Sequence, residues 1–167
     1  MGKRRAVMPS PPDRMTAQLQ TSGYHETEGT RVEADSEQRL MTAARAVRRE
    51  AYAPYSHYAV GAAVLAADGR VFVGVNVENA SYPLAMCAER TAVGTAVAHG
   101  VRTLVAVAVA SDGAPPATPC GACRQVLAEF NPGLVVLVGG AEGAWERYTL
   151  SELLPHPFLH PAVERDV

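Results

Sequence analysis

The sequence predicts an α/β protein, a three-layer α/β/α sandwich around a mixed central sheet of about five strands. Three observations carry that expectation. Helical and strand patterns follow one another in the order helix, hairpin, helix, strand, helix, strand. An Asp68-Gly69 turn joins two strands directly, so part of the sheet is antiparallel. The remaining strands alternate with helical stretches, which puts helices on both faces.

Each element has a local reason. Asp35 and Gln38 give a capping-box-like start, and Leu40, Ala44, Val47 and Ala51 recur at helical spacing, so residues 36–52 read as an amphipathic helix ended by Pro54. Residues 58–66 are apolar and suit a buried strand. Residues 70–78 alternate: Val71, Val73, Val75 and Val77 share a face expected in the core. Phe72, Gly74, Asn76 and Glu78 share the other, which turns polar only at its end. A second helix spans 87–98 and closes near Gly100, and residues 103–110 form a buried strand. Pro119 precedes a third helix over 121–130. Strands at 134–138 and 145–150 and a short helix at 151–154 complete the order.

Residues 1–34 differ from the rest. They carry Pro9, Pro11, Pro12, Gly23 and Gly29 and little apolar periodicity, so a disordered extension is expected there. One domain is expected over 35–160, with a short tail at 161–167. The chain of 167 residues has a net charge of −2, with +1 in the first 34 residues and −3 in the remainder. That balance gives no electrostatic footprint for nucleic acid. No stretch approaches the roughly 18 apolar residues of a membrane span. Lys3, Arg4 and Arg5 are not followed by the apolar run of a signal peptide. A soluble cytoplasmic protein is expected.

The three cysteines carry the chemistry. Cys87-Ala-Glu89 and Pro119-Cys120-Gly-Ala-Cys123 contain every cysteine in the chain. Three thiols cannot form a closed disulfide set, and they match three ligands of a tetrahedral zinc with one position open for reaction. Cys87 and Cys120 fall at predicted helix amino termini, where the partial positive charge favours the thiolate that metal requires. Arg90 can offset thiolate charge by hydrogen bonding to a sulfur. Glu89 stands two residues from the first ligand, placed to exchange protons with a water made acidic by the metal. His25, His57, His99, His156 and His160 have no comparable spacing; His57 and His99 read as loop and helix-end residues.

At these residues the chain resembles the zinc-dependent nucleoside deaminases, whose general signature is His-x-Glu with Pro-Cys-x-x-Cys. Cysteine at the first ligand is similar to the small homotetrameric cytidine deaminases. So are Ala51-Tyr-Ala-Pro-Tyr-Ser56, Gly61-Ala-Ala63, Asn76-Val-Glu-Asn-Ala-Ser-Tyr82, Arg90-Thr-Ala92, Cys123-Arg-Gln125 and Glu152-Leu-Leu-Pro155. The resemblance covers about residues 36–158. It implies that Cys87, Cys120 and Cys123 hold Zn2+ and that Glu89 shuttles protons as water replaces the amine at C4 of cytosine. It implies that Asn76 and Glu78 bind the ribose, and that Tyr58, Ala88 and Phe158 contact the nucleoside. Phe158 matches an aromatic residue that often serves a neighbouring subunit's site. Tyr58 stands where the family usually has phenylalanine. The implied role is deamination of cytidine and deoxycytidine in pyrimidine salvage, by a homotetramer with no nucleic-acid or membrane partner.

Three alternatives remain at this level. A deaminase of the same fold could act on another substrate, such as blasticidin S. A nucleotide deaminase would need a phosphate cradle, for which Arg124 is the candidate. A zinc-stapled module without activity would have no use for Glu89.

Overall fold

In the computed structural model, residues 32–159 are described. The expected extension before residue 32 and the tail beyond 159 lie outside them. The first helix, α1 (Ala34–Val47), is followed by a single 3₁₀ turn at Arg48–Glu50. Strands β1 (Val60–Ala66) and β2 (Val71–Val75) form the hairpin. Helix α2 (Ala88–Ala98), strand β3 (Leu104–Ser111), helix α3 (Gly121–Phe130) and strand β4 (Val135–Gly139) follow. Strand β5 (Trp145–Thr149) and helix α4 (Leu150–Leu153) close the order. The expected five-stranded mixed sheet is present, in the order β2-β1-β3-β4-β5. Only β3 and β4 run parallel, joined by α3 as a crossover; the other neighbours are antiparallel.

Side-chain alternation explains the three layers. On β1, Ala62 and Val64 face one core while Ala63 and Leu65 face the other. Val107 and Val109 on β3 join the first set, and Ala106, Ala108 and Ala110 the second. Because the central strands are buried on both faces, they read as continuous apolar runs. The alanine-rich face receives α1 through Leu40, Met41 and Ala44. The valine-rich face receives α2, α3 and Leu150 of α4. Two glycines set the helix distances. A β-carbon at Gly61 would lie 2.2 Å from the Ala44 carbonyl oxygen of α1, and one at Gly74 would lie 2.2 Å from the Ala92 nitrogen of α2.

Two local expectations are corrected. Helix α1 starts from Glu33 with no side-chain cap, and Asp35 falls inside its first turn, where its charge favours the helix dipole. The Val71–Val77 face is not uniformly core: Val73 and Val77 are exposed. β2 is an edge strand, and its better-packed face carries Phe72 and Gly74 beneath α2. Alternation identifies faces but not what covers them.

Candidate active site

The site forms where the carboxyl end of β3 meets the amino termini of α2 and α3, the usual place for ligands in sheets with parallel crossovers. Cys87 is the N-cap residue of α2 and Cys120 that of α3; neither helix has a side-chain cap. Capping oxygens are absent where sulfur is needed instead. One turn into α3, Cys123 is fully buried. The three Sγ atoms lie within 4.8 Å of one another, with Cys87 and Cys120 3.9 Å apart. Tetrahedral zinc with bonds of about 2.3 Å would separate its sulfur ligands by about 3.8 Å, so the donor set fits the ion.

The electrostatics agree with that chemistry. The Cys87 thiol is drawn down to about 5, first by a hydrogen bond with Cys123, then by those with Arg90 and Cys120. Cys123 is pushed up, first by the same sulfur contact and then by burial. Arg90 approaches the Cys87 Sγ at 3.8 Å and donates to the Ala85 carbonyl oxygen at 3.1 Å. Its Nε is buried without a partner beside the thiols. Glu89 is 5 % exposed and lines the cavity. Burial raises its carboxyl above the ordinary range, and the Cys87 charge adds to this.

The cavity has a volume of about 250 Å³. Cys87, Ala88, Glu89 and Cys120 form its metal end, and Asn76 and Glu78 also line it. Val60, Val109, Ala85 and Met86 supply apolar walls. Asn76 is held on both sides of its amide: Oδ1 accepts from the Val60 N–H and Nδ2 donates to the Tyr58 carbonyl, each at 2.9 Å. Glu78 accepts from the Tyr55 and Ser56 N–H groups and from the Ser56 hydroxyl. Those bonds hold its carboxyl below the usual range, the Ser56 hydroxyl contributing most.

Of the residues expected from sequence, Cys87, Cys120, Ala88, Glu89, Asn76 and Glu78 are therefore brought together around one cavity. Cys123 and Arg90 stand behind the metal end. Tyr58 does not line the cavity; its hydroxyl lies where a side chain at Gly113 would collide with it. Phe158 is also outside the lining and is 72 % exposed. Ser111 and Thr118 line the cavity and were missed. Ser111 had a signal: it is the first polar residue after the apolar run of β3, at the end of the strand where ligands bind. Its hydroxyl accepts from the Ala117 N–H at 3.3 Å.

Arg124 is not a phosphate cradle in this chain. Its guanidinium donates to the Pro119 carbonyl, the Leu153 carbonyl and the Thr118 hydroxyl at 2.7, 2.8 and 2.9 Å. It fastens the Thr118-Pro119-Cys120 segment to α4. Among the described residues, no lysine or arginine lines the cavity.

Comparison with known proteins agrees with this geometry. The pattern of the cytidine and deoxycytidylate deaminase zinc-binding region matches residues 34–138. The chain belongs to that family. A cytidine deaminase of Halalkalibacterium halodurans is 50 % identical over 122 residues, covering 72 % of this chain and 92 % of the relative. A cytidine deaminase of Sporosarcina psychrophila is 46 % identical over the same length, covering 72 % and 90 %. Among solved structures, a Burkholderia pseudomallei cytidine deaminase superposes with a TM-score of 0.70 at 48 % identity, covering 72 % of this chain and 98 % of that one. The deaminase fold, a hydrolytic enzyme and a zinc cofactor follow for this chain from the family match and the three-thiol cluster.

Proposed function

We propose that this chain hydrolyses cytidine and deoxycytidine to uridine and deoxyuridine with release of ammonia. The observation that carries the proposal is Glu89, a carboxylate buried at a three-thiol cluster inside a small-molecule cavity. A structural metal site has no need of such a group. The relatives named cytidine deaminases match over nearly their whole length, which supports cytidine over blasticidin S as the substrate.

Cys87, Cys120 and Cys123 would hold the zinc, which would supply the Lewis acidity that makes a water acidic and nucleophilic near neutral pH. Glu89 accepts the proton released from that water. It delivers that proton to N3 of the pyrimidine, then takes the second proton from the hydroxyl formed at C4 and passes it to the amine, so that ammonia leaves as the C4–N bond breaks. Its raised pKa suits it to give protons as well as take them. Arg90 offsets the thiolate charge that would otherwise weaken the metal's pull. Ala88 opens α2, so its N–H lacks an intrahelical acceptor and is free to meet the ring carbonyl. Asn76 and Glu78 serve the ribose hydroxyls, with their amide and carboxylate oriented by the bonds to residues 55–60. Tyr58 acts beside Asn76, and Phe158 contacts the nucleoside from a neighbouring copy.

The substrate is a nucleoside rather than a nucleotide. A phosphate would find no cation among the described residues of the cavity lining and would meet the Glu78 carboxylate. Homotetramer formation is part of the proposal. Tyr52, Tyr55, Val73, Val77, Tyr82, Leu84 and Met86 are all exposed between residues 52 and 86, apolar surface that contacts between copies would cover. Residues 35–160 form the deaminase domain on this reading, acting in pyrimidine salvage in the cytoplasm. Among the described residues, no helix is long and apolar enough to cross a membrane.

The test is the ultraviolet absorbance of cytidine, deoxycytidine and deoxycytidine monophosphate with the zinc-loaded protein. Loss of the cytosine band with the two nucleosides, and little with the nucleotide, is expected. Preferred turnover of the nucleotide would overturn the substrate assignment.

A further inference from the structure

Helix α3 holds more than the metal. Its amino end carries Cys120 and Cys123, and the next two residues grip the end of the described chain. Arg124 donates to the Leu153 carbonyl, and Gln125 makes a matched pair of bonds to Phe158. The Gln125 Nε2 donates to the Phe158 carbonyl at 2.8 Å, and its Oε1 accepts from the Phe158 N–H at 2.9 Å. Both backbone groups of Phe158 are thus engaged by one side chain. Phe158 belongs to no helix or strand, so this amide does for it what a neighbouring strand would do. Pro155 and Pro157 restrict the same segment through their fixed φ angles. Yet Phe158 is 72 % exposed and belongs to neither hydrophobic core of the described residues. A clamped backbone with an unburied aromatic ring is a presentation device.

We propose that Gln125 is a positioning residue: its amide fixes the Phe158 backbone so that the ring is presented to the nucleoside cavity of a second copy. This rests on the reading above that Phe158 contacts substrate. Because the clamp and two metal ligands share one helix, the ring of one site and the thiols of another are held by the same rigid element.

The test uses zinc-loaded full-length protein, with KM and kcat for cytidine measured in Gln125→Met, Phe158→Ala and the double variant. Methionine keeps the length and helix propensity of glutamine but removes both hydrogen bonds. Each single variant is expected to raise KM roughly tenfold, with kcat changed far less and zinc content and particle size retained. The double variant should be no worse than Phe158→Ala alone, because Gln125 acts through that ring. A normal KM in Gln125→Met beside a raised KM in Phe158→Ala would overturn the clamp while leaving the role of Phe158 intact. Multiplying effects in the double variant would show that Gln125 acts elsewhere. An unchanged KM in Phe158→Ala would instead overturn the reading of Phe158 itself, and the clamp's role with it.

Discussion

The two ends of the cavity are built differently. The metal end is complete within one chain: Cys87 and Cys120 cap helices whose other faces are locked into the valine-rich core, and Cys123 is buried. Loops make the other end, which we assign to the sugar. Glu78 and Asn76 hold the 55–60 segment by hydrogen bonds to backbone, while Tyr55 and Tyr82 stack edge to face on an otherwise open surface. The difference is that chemistry is fixed by the fold of a single chain, whereas recognition is left to loops and, on our reading, to a second copy. Damage at the metal end should therefore abolish turnover, and damage at the sugar end should mainly change KM.

The largest effect should come from Cys123→Ala. Zinc content should fall to background, turnover should vanish and stability should drop by roughly 3 kcal/mol, since metal binding is coupled to folding. Metal analysis and thermal unfolding check this; full zinc occupancy would mean the ligand set is wrong. Next is Glu89→Gln, which should keep zinc and melting temperature but lose about 10² to 10⁴ in kcat, the usual worth of a positioned proton shuttle. Near-normal kcat would remove Glu89 from the mechanism.

Smaller effects sharpen the sugar end. Phe158→Ala and Glu89→Gln chains, unfolded and refolded together, should regain a low-KM component absent from either alone. That outcome requires one chain's Phe158 to serve another's Glu89; a simple average of the two parents would place Phe158 at its own site. The smallest effect is pH-dependent. The Glu78 carboxyl is depressed in the folded chain, so its stabilisation is present above the unfolded value of about 4.3 and fades as pH falls through the folded value. The melting-temperature gap between wild type and Glu78→Gln should be full above about pH 5 and close in more acid solution. A gap that widens in acid would mean the carboxylate is not favourably held.

The metal end was also the more legible in sequence. Cys87-Ala-Glu89 and Pro119-Cys120-x-x-Cys123 are local patterns, and the helices that carry them begin where proline and cysteine spacing put them. Helix α3 was anticipated at its observed span, 121–130. The sugar end depends on contacts distant in sequence. Nothing local indicates that Glu78 would accept from Tyr55 and Ser56, 23 and 22 residues away, or that Arg124 would reach Leu153 rather than a phosphate. Val73 and Val77 show the same limit from the other side: period-two alternation is real, but an edge strand has no partner layer guaranteed to cover it. Ser111 escaped because a single polar residue at a strand end looks like ordinary chain termination until the cavity beside it is known.

The central claim is that three thiols hold a zinc on which deamination depends. The most direct measurement is zinc stoichiometry taken together with cytidine turnover while the metal is removed by chelation and then restored. The account predicts about one zinc per chain and turnover that falls and returns in proportion to it. Undiminished turnover in protein shown to be free of metal would contradict it.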